Sequence, residues 1–360
     1  MRCINFWDTA LIKHASSKER LTMSNVQGES TQEFTRVDFD SDYVHQQATK
    51  MRIDILKMLM YAKSGHPGGS LSAADIVATL YFGGVMRYEV SKPKAPWRDR
   101  FILSKGHAAP VQYAALSLAG YFDATEFKKL RHLGAMLQGH PDASKCPGIE
   151  VSTGSLGQGL SIASGLAQGL KLKGIKGADG LEPPKVYVLL GDGELQEGQN
   201  WEAALYAAHY KIDNLVAIVD RNMLQIDGNT EEVMALGNVE EKFKAFGWDA
   251  VTIDGHDSQA IYSALTIKRP HNKPYVIIAN TIKGKGVSFM ESQASWHGVA
   301  PCKEECDTGC AELQSELSDP TSNKEYRDSE TSMQVEEVAE AVADYLSADE
   351  EVRGDGSYNA

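Results

Sequence analysis

The chain has 360 residues, 42% hydrophobic and 8% aromatic, a composition that excludes wholesale disorder and suits one large α/β domain with appended segments. Its net charge of −13 sits in the stretch after Pro301, where 17 acidic residues face 4 basic ones; residues 1–301 are neutral, without the basic stripe that nucleic-acid binding needs. No run of about 18 apolar residues marks a membrane span, and the charged N-terminus lacks the apolar centre of a secretory signal.

Residues 1–40 are polar and irregular and read as a partly disordered leader, with Met23 an alternative start. From Val44 to Lys63 a helix is expected, because Met51, Ile55, Met58, Leu59 and Ala62 recur at helical spacing; it must break at Ser64-Gly65-His66-Pro67-Gly68-Gly69. Five short strands follow, Phe101–Leu103, Val186–Leu190, Leu215–Val219, Ala250–Ile253 and Tyr275–Ile278, alternating with helices expected over 156–173, 200–208, 240–246 and 258–267. Strands that alternate with helices imply a three-layer αβα fold around a mostly parallel sheet. Near-continuous apolar runs such as Val186–Leu190 imply burial on both faces. One α/β domain is therefore expected over 41–300, followed by an acidic tail over 301–360 with one amphipathic helix at 335–346. Five scattered cysteines, Cys3, Cys146, Cys302, Cys306 and Cys310, form no disulfide framework and suit a cytoplasmic protein. The C-x3-C-x3-C spacing of the last three leaves open a metal or iron–sulfur cluster or, more simply, a stripe of reduced thiols facing solvent or a partner.

The chemistry concentrates at strand ends. Gly191-Asp192-Gly193 follows one buried strand, and Asp220-Arg221-Asn222 ends the next. Ligands of parallel sheets bind at the carboxyl ends of strands, so Asp192 and Asn222 are expected to share one crevice. With the backbone carbonyl of Leu224 and two phosphoryl groups they make an oxygen-rich shell for Mg²⁺ or Ca²⁺, and Gly191 and Gly193 let the backbone approach a diphosphate. Alone, a Gly-Asp-Gly is merely a tight turn; the paired Asn222 makes it specific. Gly154-Ser155-Leu156-Gly157 opens an expected helix, whose free N–H groups favour an anion.

This spacing resembles the thiamin diphosphate motif, and further stretches resemble transketolase in the family's order: Ser64-Gly65-His66-Pro67-Gly68, Ser104-Lys105-Gly106-His107, Gly139-His140-Pro141, Thr153–Gly159 and Trp296-His297-Gly298. The similarity covers about residues 45–300, the diphosphate-binding (PP-type) domain of the thiamin diphosphate-binding fold. The resemblance implies that His66 and His297 flank a donor sugar's reacting carbons and that His107 and His140 lie beside cofactor and substrate hydroxyls. It also implies that Gly154, Ser155 and Leu156 contact the cofactor, and that Glu197 sits at a subunit interface linking two active sites. Neutral imidazoles in such a crevice would hydrogen-bond hydroxyls and move protons near neutral pH. Arg221 and Met223 depart from the small or amide residues usual beside Asn222.

The family's pyrimidine-binding domain follows the matched stretch, and the 59 residues after Pro301 are too short and polar to build it. The resemblance therefore implies a partner, the C-terminal transketolase subunit, in an α2β2 assembly acting on sugar phosphates as a transferase. The alternatives are a 1-deoxyxylulose-5-phosphate synthase-like enzyme and a non-catalytic thiamin-binding regulatory subunit; the histidine motifs disfavour the first and the intact Asp192 and Asn222 the second.

Overall fold

The structure, a computed structural model, describes residues 20–22, 33–35, 38–177, 180, 182–269 and 272–318. It divides into two units, Met1–Asp38 and Phe39–Ala360. Within the first, the expected leader, Arg20–Thr22 pairs antiparallel with Glu33–Thr35.

The second unit is built on five parallel strands: β1 (Arg100–Leu103), β2 (Val186–Gly191), β3 (Leu215–Arg221), β4 (Asp249–Asp254) and β5 (Tyr275–Asn280), in the order β1-β2-β3-β5-β4. Each expected strand is present. β2, β3 and β5 run one or two residues further at their carboxyl ends, and the added residues include Gly191, Asp220 and Arg221. Polar residues at a strand tip do not look like strand in a sequence; here the parallel ladder carries them, pairing Gly191 with Asp220.

Ten helices, α1 (Ser41–Ala62), α2 (Gly68–Ser72), α3 (Ala74–Phe82), α4 (Ala109–Leu118), α5 (Gly159–Leu172), α6 (Gly198–His209), α7 (Thr230–Met234), α8 (Val239–Ala245), α9 (Ser258–Thr266) and α10 (Lys303–Ser318), are found among the described residues. The strands' alternate side chains feed two cores. Phe101, Leu103, Tyr187, Leu189, Val216 and Ile218 join α1, α3, α4, α9 and α10 on one face. Ile102, Val188, Leu190, Ala217, Val219 and Ile278 join α5, α6 and α8 on the other. Burial on both faces is what the continuous apolar runs required, and the three-layer αβα expectation holds.

Helix α1 starts on Asp40, whose carboxylate accepts from Asp42 N–H at 3.0 Å and Tyr43 N–H at 3.1 Å, and stops at Lys63 in the left-handed region, φ 52°. The expected break is there, but it is short: a new helix begins at Gly68. The acidic segment also departs from expectation. Its first part is α10, which packs on α1 through Cys306, Gly309, Cys310 and Leu313, so the domain extends past residue 300 at least to Ser318. That face is made mostly of small residues: a Cβ on Gly309 would lie 2.9 Å from Leu56 Cδ1. The helix expected at 335–346 lies outside the described residues. Among the described residues no helix is long and apolar enough to cross a membrane.

Candidate active site

The carboxyl ends of β2 and β3 bring Asp192 and Asn222 together. Asp192 Oδ1 accepts from Gly193 N–H at 2.8 Å and Oδ2 from Met223 N–H at 2.6 Å, so the carboxylate is tied to the backbone beside Asn222. Met223 adopts φ 63°, uncommon for a bulky residue. This turn aims its N–H at Asp192, a bond any residue's backbone can make; Arg221 reaches away, to Glu231 and to Gly237 O, each at 3.3 Å. Burial, and then the charge of Asp220, push Asp192 up to about 6.

Three imidazoles converge above these tips. The ring centroids of His66, His107 and His297 are 5.2, 5.5 and 5.3 Å apart, pair by pair. Nδ1 of His66 is buried and has no hydrogen-bond partner among the described residues. Burial, followed by nearby cationic side chains, pulls His66 down to about 4 and His297 to about 3, and holds His107 well below its ordinary value. His140 is lowered too, by partial burial and Arg131. Free of ligands, these imidazoles are neutral hydrogen-bonding groups near neutral pH, because burial, and then the ammonium and guanidinium groups around them, disfavours their charged form.

His140 stands at the rim, against the Gly154 turn, where a Cβ would come within 2.9 Å of its ring. Gly154, Ser155 and Leu156 form a turn and not the first turn of a helix, since α5 begins at Gly159. Gly154 has φ 142°, and an added Cβ on Gly106 would lie 2.7 Å from Gly154 N, so both glycines are needed for the loop bearing His107 to touch this turn. The N–H of Gly157 is already bound, by Glu194 Oε1 at 3.0 Å. Glu197 is exposed just beyond, its Cβ close over Gly157.

Four charged residues at the site were not singled out from the sequence. Lys105 is buried in an ion pair with Asp220 and donates to Gly69 O at 2.9 Å. Asp220 also accepts from Ser72 Oγ at 2.6 Å and from Thr281; burial raises this carboxyl, but Lys105 and these hydroxyls outweigh it and keep it below the ordinary range. Glu194, raised by burial, gathers Ser104, Gly157 and Gly191 N–H and so ties three loops together. Lys283 donates to Leu224 O at 2.9 Å and to His297 Nδ1 at 2.7 Å; burial and Lys105 lower it to about 8. For Lys105, Glu194 and Lys283 the detectable signal was a lysine or acid next to a glycine beyond a strand, which a bare sequence assigns to solvent; Asp220, between Val219 and Arg221, lacks even that.

Residues 44–338 match the family described as "Transketolase, thiamine diphosphate binding domain". The chain belongs to the transketolase family. A 6-deoxy-6-sulfo-D-fructose transketolase subunit of Clostridium sp. (strain MSTE9) is 44% identical to it, over 70% of this chain and 89% of that protein. An apulose-4-phosphate transketolase subunit of Phocaeicola vulgatus is 42% identical, over 75% and 94%. The transketolase of Homo sapiens is 40% identical over 75% of this chain but only 42% of its own length. The solved transketolase of Campylobacter jejuni superposes with a TM-score of 0.71 at 34% identity, covering 77% of this chain and 43% of that one. This transketolase chain therefore spans most of the subunit-type relatives and less than half of the single-chain enzymes. The family, the fold and the expectation of a transferase subunit of the transketolase type are borne out, and the matched domain is the one that binds thiamin diphosphate.

The donor set of this transketolase domain fits a hard cation: one carboxylate, one amide oxygen and one carbonyl, all oxygen, at adjacent strand ends. Among the described residues no three His, Cys, Asp or Glu side chains are grouped to hold a metal. The cysteine stripe divides: Cys302 is exposed, whereas Cys306 and Cys310 are buried against α1 with sulfurs 3.9 Å apart, so neither a cluster nor a solvated stripe describes them.

Proposed function

We propose that this chain is the thiamin diphosphate-binding subunit of a two-subunit transketolase. Joined to a partner carrying the pyrimidine-binding domain in an α2β2 assembly, it moves a two-carbon ketol unit from a ketose phosphate to an aldose phosphate. The observation that carries this reading is the meeting of His66, His107 and His297 over the strand tips that hold Asp192 and Asn222.

Asp192, Asn222 and the Leu224 carbonyl are the ligands proposed for Mg²⁺ or Ca²⁺, and Gly191 and Gly193 leave the backbone open to the diphosphate. Gly154, Ser155, Leu156 and His107 line the cofactor's other side. The bound cofactor supplies a nucleophilic carbon and an electron sink. His66, with its unpartnered Nδ1, His107, His140 and His297 orient the sugar's hydroxyls as neutral donors and acceptors, and move protons once the substrate's own charge changes their surroundings. Glu197 is the residue proposed to meet a second active site across the subunit boundary, and its exposure supports that role. The named relatives are subunits, which supports a partner for this chain. A cytoplasmic setting accords with its free thiols.

Calorimetry with thiamin diphosphate and Mg²⁺, on this chain with and without its partner, tests the binding; Asp192→Ala is expected to abolish it. The reconstituted pair is expected to turn over ketose phosphates, tested alongside the sulfofructose and apulose phosphate sugars of its relatives. Turnover of pyruvate instead would favour a synthase-like enzyme, and cofactor binding without any turnover would favour a regulatory subunit.

A further inference from the structure

Three successive residues leave the tip of β5, and each is fastened separately. Thr281 donates its hydroxyl to Asp220 and its N–H to Arg221 O at 3.1 Å. Lys283 reaches Leu224 O and His297. Between them, the N–H of Ile282 donates to Nε2 of His256 at 2.8 Å. Because Nε2 accepts this bond, the proton of the neutral ring lies on Nδ1, which is 2.7 Å from Asp75 Oδ2. Asp75, on α3, is buried and also receives Arg52 of α1. Burial pushes its carboxyl up, but Arg52 and His256 outweigh that and hold it far below the carboxylate range, so it is a permanent acceptor.

We propose that His256 is a positioning residue for Lys283: the chain from Asp75 through His256 to the Ile282 N–H fixes the backbone from which Lys283 extends into the crevice. The geometry favours this over a buried histidine that merely satisfies Asp75, because the second ring nitrogen is spent on the one backbone group directly preceding Lys283. That backbone has little room elsewhere. Gly284 N–H donates to Gly68 O at 3.0 Å, and an added Cβ on Gly68 would lie 2.9 Å from Lys283 Cγ, so a small rotation at Ile282 drives the lysine stem into α2. The consequence for cofactor binding rests on the proposed function; the placement of Lys283 does not.

The test compares His256→Gln with His256→Asn in the full chain. Glutamine places an acceptor oxygen near the position of Nε2 and keeps the hold on Ile282, whereas asparagine reaches only the position of Nδ1 and keeps the bond to Asp75 alone. Two readouts are taken: amide hydrogen exchange of the peptide spanning residues 280–285 in the cofactor-free chain, followed by mass spectrometry, and the Kd for thiamin diphosphate with Mg²⁺, measured with the partner subunit present. Wild type and His256→Gln are expected to keep the Ile282 amide protected, while His256→Asn, at an equal melting temperature, raises its exchange rate and weakens cofactor binding, each about tenfold. Equal protection in the two variants overturns the proposal. Loss of protection in His256→Asn, in a chain whose wild type binds no thiamin diphosphate, sinks the functional reading and leaves the positioning role standing. Should His256→Asn fail to fold, Asp75→Asn, which frees the ring to take either tautomer, has to raise exchange at Ile282; unchanged protection there also overturns it.

Discussion

Asp192 ionises against its surroundings. Its carboxyl is raised from 3.8 to about 6 by burial and Asp220, so the folded cofactor-free chain holds a proton that the unfolded chain releases earlier. Stability from this group is present below pH 4 and lost as pH rises through 6, a cost on the order of 3 kcal/mol at neutral pH. Asp192→Asn is accordingly expected to flatten the fall in melting temperature of the ligand-free chain between pH 4 and 7, while metal-dependent cofactor binding disappears; calorimetric scans across that range check it. The imidazoles have the opposite sign. With His66 lowered to about 4 and His297 to about 3, the unfolded chain binds more protons between those values and 6.5, so their contribution is full above 6.5 and drains away as pH falls. His66→Gln is expected to flatten that acid-side loss, read from urea midpoints between pH 4 and 7. Asp192 and the four histidines were legible because their Gly-rich neighbours form known patterns. Lys105, Glu194, Asp220 and Lys283 were not, because a single charged letter carries no mark of burial until its counter-charge, 115 residues away for Lys105 and Asp220, is brought alongside.

At the scale of elements, strands were the easiest to foresee, since two-sided burial leaves runs such as Val186–Leu190 with no polar interruption. Helices α2, α3, α4, α7 and α10 escaped, and α2, α3 and α10 show separate reasons. Two glycines open α2, which looks like part of a loop; α3 is buried all round and has no polar face to give a helical period; α10 hides a face of two cysteines, a glycine and one leucine among acids. The last case is open to test. Leu313 is fully buried, and Leu313→Ala is expected to cost about 3 kcal/mol, visible as a lower denaturation midpoint. Were the segment a solvated tail, the change would be near zero. Because Ser288 N–H and hydroxyl are bonded to Glu312 at 2.8 and 2.7 Å, α10 also braces the loop between Lys283 and His297. Glu312→Gln is therefore expected to weaken thiamin diphosphate binding more than it lowers the melting temperature.

At the scale of the whole molecule, the matched part of the chain spans less than half the length of the single-chain transketolases. Light scattering of the co-expressed pair is expected to give the mass of two copies of each subunit, and the isolated chain is expected to bind sugars without turning them over. A one-to-one complex with full turnover would contradict the shared-interface role given to Glu197. The sheet's single direction has a practical corollary. Since every strand of the sheet points the same way, the site's strand tips share one rim, and the far rim carries ion pairs such as Lys171 with Asp213 and Lys273 with Asp249. A dye or a surface tether attached at exposed Lys211 would sit at that far rim, giving an immobilised or fluorescent form whose cofactor entrance stays clear.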